Sequence, residues 1–213
     1  MNDTATVKVW DIGVRLFHWA LVAFFVIAYI SSEGAEHGGI GEALHAWSGY
    51  AIIALLIFRI LWGLIGMKYA RFSDFIFSPG AIMAYIKGMF SGHPKRFLGH
   101  NPAGGLMVML LLVSLIAISW TGLKAYEAEG KGPLAAAPAI TLSIPVAQAD
   151  DDWEYGGHGN KGDEFWEEAH EAAVYFMLLL IALHLGGVAV SSLLHRENLV
   201  RAMVTGRKRL PKE

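Results

Sequence analysis

The segment HEAAVYFMLLLIALHLGGVAVSSLL, from His170 to Leu194, decides the fold. It is apolar almost throughout and long enough to cross the ~30 Å hydrocarbon layer, which takes ~20 helical residues. A helix satisfies every backbone N–H and C=O within itself, so in lipid this segment reads as a transmembrane helix. It carries two histidines, His170 and His184, fourteen residues apart. At ~3.6 residues per turn and ~1.5 Å per residue, both imidazoles fall on nearly one face, ~21 Å apart along the axis.

Three further apolar runs, Val14 to Ser31, Leu44 to Gly66 and Gly104 to Gly122, bring the spans to four. A fifth stretch, Pro133 to Ala149, is apolar but contains Pro133, Pro138 and Pro145, which break the internal bonding a lipid-exposed helix needs. It reads as a loop. The whole chain, 213 residues, is 54% hydrophobic and 17% charged, with a mean hydropathy of +0.42, and so falls in the membrane class. Cysteine is absent, which excludes disulfides, thiolate zinc or iron–sulfur sites, and thioether-attached haem. A redox metal would have to hang on histidine or methionine. Residues Met1 to Gly13 lack the pattern of a removable signal peptide, so the first span is expected to remain.

Charge is sorted along the chain. Lys8, Arg15, Lys68, Arg71, Lys87, Lys95, Arg96, Arg196, Arg201, Arg207, Lys208, Arg209 and Lys212 flank the spans on one side. The first loop carries Glu33, Glu36 and Glu42 without a basic residue, and the third has three lysines against ten acids, including Asp150, Asp151, Asp152 and Glu154. Lysine and arginine accumulate on the cytoplasmic side. The expected architecture is therefore an all-α transmembrane four-helix bundle, one domain over residues 1–213, with both termini cytoplasmic and a long acidic periplasmic loop between the third and fourth helices.

Nine histidines are present. His37, His93, His100, His158 and His195 fall in loops or the tail, where a histidine is usually solvated, and are set aside. His18, His45, His170 and His184 lie in or at the ends of apolar spans, where an ionisable side chain is costly and marks function by default, although each could simply bond a neighbouring helix. The first span enters from the cytoplasm and places His18 toward the inner side. The second and fourth enter from outside, placing His45 and His170 toward the outer side and His184 deeper. Depth thus pairs His18 with His184 and His45 with His170. Two stacked bis-histidine pairs suit two b-type haems, whereas zinc would gather three or four ligands at one depth. Arg59, inside the second span, needs a partner; a haem propionate is the first candidate and snorkelling to the interface the alternative. Trp10, Trp19, Trp47, Trp62, Trp120 and Trp166 sit near span ends and read as an aromatic belt.

The stretches Val9-Trp10-Asp11 with Arg15 and His18-Trp19, His45 with Gly49-Tyr50, Arg59 through Trp62-Gly63, His170-Glu171 with His184, and His195-Arg196-Glu197-Asn198-Leu199-Val200 leading to Thr205-Gly206 carry a resemblance. Over nearly the whole chain the sequence resembles the bacterial cytochrome b561 and nickel–iron hydrogenase b-type cytochrome subunit family. The resemblance implies a four-helix cytochrome with two haem b groups held by His18, His45, His170 and His184, passing electrons between the quinone pool and a periplasmic or membrane-bound redox partner. The long third loop and the lack of an obvious fifth span favour a periplasmic c-type cytochrome as partner over a dedicated hydrogenase. The resemblance also allows two alternatives: a self-sufficient superoxide:quinone oxidoreductase, and the membrane anchor subunit of a hydrogenase-like oxidoreductase. The implied setting is the lipid bilayer of the bacterial inner membrane, with no nucleic-acid partner. The quinol site is expected at the inner haem, near Asp11, Arg15 and Arg59, and the acidic loop from Asp150 to Glu168 is expected to help dock the partner.

Overall fold

The computed structural model describes residues 6–35, 39–92, 95–135 and 161–209. A short strand, β1 (Thr6–Lys8), leads into α1 (Ile12–Ala35) and α2 (Ile40–Ile65). Two single 3-10 turns, Lys68–Ala70 and Phe72–Asp74, precede α3 (Pro79–Phe90). Then come α4 (Pro102–Ala128), the short α5 (Gly132–Ala135), α6 (Lys161–Leu194), α7 (Leu199–Thr205) and β2 (Arg207–Arg209).

Four helices, α1, α2, α4 and α6, are long and apolar enough to cross a membrane, as expected. Each outruns the apolar segment that announced it, because hydropathy marks the hydrocarbon-embedded part while backbone bonding continues into polar ends. At α6 the helix already begins at Lys161, ahead of His170. The long loop expected between the third and fourth spans is accordingly helical at both margins, to Ala128 and from Lys161. The acidic run Asp150, Asp151, Asp152 and Glu154 lies outside the described residues, as do His37, His93 and His158.

Helices α1 and α2 pack as one hairpin and α4 and α6 as another, and α2 meets α4 between them. The mid-bundle core joins Phe17 of α1, Ile52 and Leu56 of α2, Leu112 and Leu115 of α4, and Met177 of α6. Where α1 turns into α2, Gly34 and Gly41 touch backbone to backbone: a Cβ on Gly41 would lie 2.6 Å from Gly34. Large apolar side chains such as Ile30, Leu64 and Leu193 point outward, the pattern of a bundle solvated by lipid. Hydropathy alone shows no regular structure in the second loop, yet it holds α3, started by Pro79 and by the Ser78 hydroxyl accepting from the Ala81 N–H at 3.3 Å. Tyr85 is buried while Met83 and Phe90 are exposed, so α3 is amphipathic and suited to the membrane interface.

The two chain ends meet. β1 and β2 pair antiparallel, Thr6 opposite Arg209 and Lys8 opposite Arg207, and the Gly206 carbonyl accepts from Val9 and Trp10 at 2.9 and 3.1 Å. Both ends of the described chain therefore lie at the same end of the bundle, the terminal end. Asp11 locks this end. Its Oδ1 accepts from the Val14 N–H at 3.0 Å, capping α1, and from Trp62 Nε1 at 3.1 Å, tying α1 to the close of α2. Arg15 donates to the Val204 carbonyl, and Arg96 pairs with Glu197. The expected aromatic belt needs correction at two places. Trp10 is buried in the terminal cap with Val9 and Ala202, and Trp62 serves Asp11, whereas Trp19, Trp47 and Trp120 are exposed as belt residues should be.

Replacing Asp11 with Ala removes a buried cap and leaves the Trp62 N–H unpaired. The thermal unfolding transition in detergent is expected to fall by an amount equivalent to about 1–3 kcal/mol, and Asp11→Asn is expected to show a smaller fall.

Candidate functional site

At the end opposite the termini, His45 of α2 and His170 of α6 come together, their ring centroids 6.2 Å apart and their planes at 83°. His45 Nδ1 lies 2.9 Å from the Ala28 carbonyl, which can only accept, so Nδ1 carries the proton. The Thr121 hydroxyl donates to the Ala117 carbonyl at 2.9 Å and is therefore the acceptor for His170 Nδ1 at 3.2 Å. Both rings are set in the tautomer whose Nε2 lone pair is bare, which is the form a metal ligand needs. Gly122 makes the space, since a Cβ there would come within 2.9 Å of His170 Cε1.

Toward the terminal end, His18 of α1 stands edge-on to Trp19 with centroids 5.1 Å apart. Its Nδ1 is buried without a hydrogen-bond partner, and it lies within electrostatic reach of His184 on α6. The fold brings His45 and His170 into ring contact, and it sets His18 and His184 both toward the terminal end, His18 without a ring contact to His184 among the described residues. Along α6 the residues at seven-residue spacing are His170, Met177, His184 and Ser191, and Met177 and Ser191 are buried. Histidines at two depths are separated by an apolar layer. Among the described residues no three His, Asp or Glu side chains converge, as a zinc site would require.

Arg59 lies toward the terminal end by register. The buried stripe of α2 runs through Ser48, Ile52, Leu56, Arg59 and Gly63, and Arg59 follows His45 by the same fourteen residues that separate His170 from His184. Since α2 and α6 both run from the loop end to the terminal end, Arg59 lies at about the depth of His184. It does not snorkel: only 3% of its surface is exposed, Nη1 donates to the Ala70 carbonyl at 3.1 Å, and the guanidinium lies over Phe72 and Phe75. Of the other polar groups expected to serve a substrate there, Asp11 is committed to its cap and Trp62, while Arg15 donates to the Val204 carbonyl and keeps a buried Nε without a partner. At the loop end Glu42 is likewise held, by Lys131 at 2.8 Å and Tyr126 at 3.4 Å.

His100 departs from the sequence reading, which groups it with the solvated loop histidines. It is enclosed between the rings of Trp10 and Phe75, each with centroids 4.6 Å away, and its Nδ1 is buried without a partner. Burial first, then the nearby charges of Arg59 and Lys208, push its pKa down to about 3, so the imidazole is neutral at physiological pH. The one sequence signal was its position directly before Asn101-Pro102, the start of a span; Asn101 caps α4 by accepting from Gly104 at 2.7 Å. Its ring partners are distant in sequence.

The prokaryotic cytochrome b561 family profile matches residues 9–206. The chain belongs to this family. It is a multi-pass membrane b-type cytochrome, a haem protein of electron transport. Its relatives include proteins named probable Ni/Fe-hydrogenase B-type cytochrome subunit from Azotobacter chroococcum mcd 1 and from Azotobacter vinelandii, each 24% identical over 97% of this chain and 90% of the relative. A protein of the same name from Cupriavidus necator is 23% identical over 93% of this chain and 85% of its own. No solved structure matches.

For a cytochrome b561 member the loop-end pair passes a simple test of fit. Two metal–imidazole bonds of ~2 Å, with the ring radii added, put facing centroids roughly 6–6.5 Å apart, and the observed separation is 6.2 Å. Both Nδ1 protons are already engaged, so each ring is held with its Nε2 free to ligate. Gly122→Val should therefore crowd His170 and lower the haem-to-protein absorbance ratio of the purified chain. A substitution on the exposed face of the same helix, Val113→Ala, should leave that ratio unchanged.

Proposed function

We propose that the chain is a di-haem conduit carrying electrons between the quinone pool and a redox partner on the periplasmic side of the bacterial inner membrane. In this reading His45 and His170 hold the outer haem, His18 and His184 the inner one, and both termini face the cytoplasm. What supports it is the facing pair His45 and His170, its Nδ1 atoms tied to Ala28 and Thr121, together with His184 set fourteen residues along α6 and His18 on α1 toward the other end of the bundle. A haem held by two imidazoles exchanges single electrons without opening a coordination site. The chain's contribution is to fix the ring tautomers, to keep water out with the Phe17, Ile52, Leu115 and Met177 layer, and to set the two sites about two heptads apart.

The quinol site belongs at the inner pair in this account. Quinol oxidation sheds protons with its electrons, so the site needs polar groups in an apolar wall. Arg59, which is buried, and His100, half-buried with its Nδ1 enclosed, are such groups toward that end, and Arg59 is also the residue to meet an inner haem propionate. Electrons leaving there for the periplasm cross most of the bilayer, which couples the reaction to the membrane potential by up to ~2.3 kcal/mol per charge per 100 mV. The names of the relatives favour an oxidoreductase subunit of the hydrogenase type as partner. A c-type cytochrome docked on the acidic third loop is the second reading, favoured by the run of acids from Asp150.

His184→Ala is expected to remove one component from an optical redox titration and His45→Ala the other; loss of the same component in both overturns the pairing. A quinone-site inhibitor should perturb only the His184-dependent component. Perturbation confined to the His45-dependent one places the quinol site at the outer haem.

A further inference from the structure

Behind the terminal cap lies a cavity of about 520 Å³ that neither the histidine pairs nor the quinol site uses. Arg196, Arg201, Arg207, Lys208 and Arg209 line it, and Glu197 is its one acid among the described residues. That acid is already paired with Arg96, so the cavity keeps a strong excess of positive charge. Burial holds the Lys208 ammonium below its usual range despite the proximity of Glu197. Arg196 sits in the left-handed region at φ 50°, a conformation seldom kept by a side-chain-bearing residue without compensation.

The position of the cavity says what kind of anion it meets. Leu194 ends the apolar α6, and Arg196 follows two residues later, so the cations stand at the level of the lipid headgroups. A second, more open hollow of about 410 Å³ shares Arg196, Glu197 and Asn198 with the first and is also lined by Ser192, Leu193 and Val200. Leu193 and Val200 are exposed apolar residues. A cationic hollow bordered by exposed Leu193 and Val200 matches a molecule with a phosphate at one end and an acyl chain at the other. Free phosphate has no use for the second half.

We propose that this cavity binds the phosphodiester headgroup of an anionic phospholipid, with Arg196, Arg201 and Arg207 on the phosphate and an acyl chain along Leu193 and Val200. The bound lipid neutralises the strand pair β1–β2 and α7 and so fastens the joined termini to the membrane surface.

The test is native mass spectrometry of the haem-loaded full chain in detergent, titrated with dioleoyl phosphatidylglycerol or dioleoyl phosphatidylcholine. The glycerol lipid is expected to bind roughly tenfold or more tightly, the scale of a few cation–headgroup contacts. The combined Arg196→Gln, Arg201→Gln and Arg207→Gln variant should lose that preference, and the corresponding lysine variant should keep most of it. Each single glutamine variant should lose a part, which decides the matter if the triple variant does not fold. Lys87→Gln with Lys95→Gln, cations elsewhere on the same side, should change nothing. Equal binding of both lipids, or a preference surviving in the glutamine variants, overturns the proposal. Displacement of the lipid by millimolar inorganic phosphate overturns the lipid assignment in favour of a small-anion site.

Discussion

A helix immersed in hydrocarbon cannot hide a histidine from its neighbours, because an unpaired ring nitrogen at that depth is costly wherever it points. α6 carries two of them on one stripe, with Met177 midway and Ser191 beyond. The rest of the bundle is arranged to meet that stripe. α2 runs in the same direction and offers His45 at the first level and Arg59 at the second; α1 comes up from the opposite side with His18. α4 contributes little polarity, but Thr121 orients His170 and Gly122 leaves its ring room. The apolar cluster of Phe17, Ile52, Leu56, Leu115 and Met177 fills the bundle core between these helices.

The two levels are built differently. At the loop end, both Nδ1 atoms have partners within the protein, and the ring positions are fixed before any cofactor arrives. At the terminal end, His18 and His100 each keep a buried Nδ1 without a partner, and Arg59 brings a buried charge. Unsatisfied polar atoms of that kind are rare in finished interiors. The cap formed by Asp11, Trp62 and the β1–β2 pair closes that end.

Hydropathy made the four spans readable because lipid demands long apolar helices, and the fourteen-residue spacing on α6 made the candidate ligand set readable because helical geometry converts spacing into depth. Other features depend on contacts between residues far apart in sequence. β1 and β2 are three residues each and gain meaning only when the ends meet. His100 looks like a loop residue until Trp10 and Phe75 close on it. Arg59 could not be told from a snorkelling arginine until Ala70, Phe72 and Phe75 surrounded it. α3 was hidden by its mixed composition, with Gly80 and Gly88 weakening a helix that Ser78 and Pro79 start.

Two separate histidine pairs would hold two haems, so the haem count per chain bears on the whole proposed arrangement. A pyridine haemochrome assay on the purified full chain, normalised to protein by amino-acid analysis, should return two haems b per chain. One haem per chain, or none, would rule out two histidine-held haems.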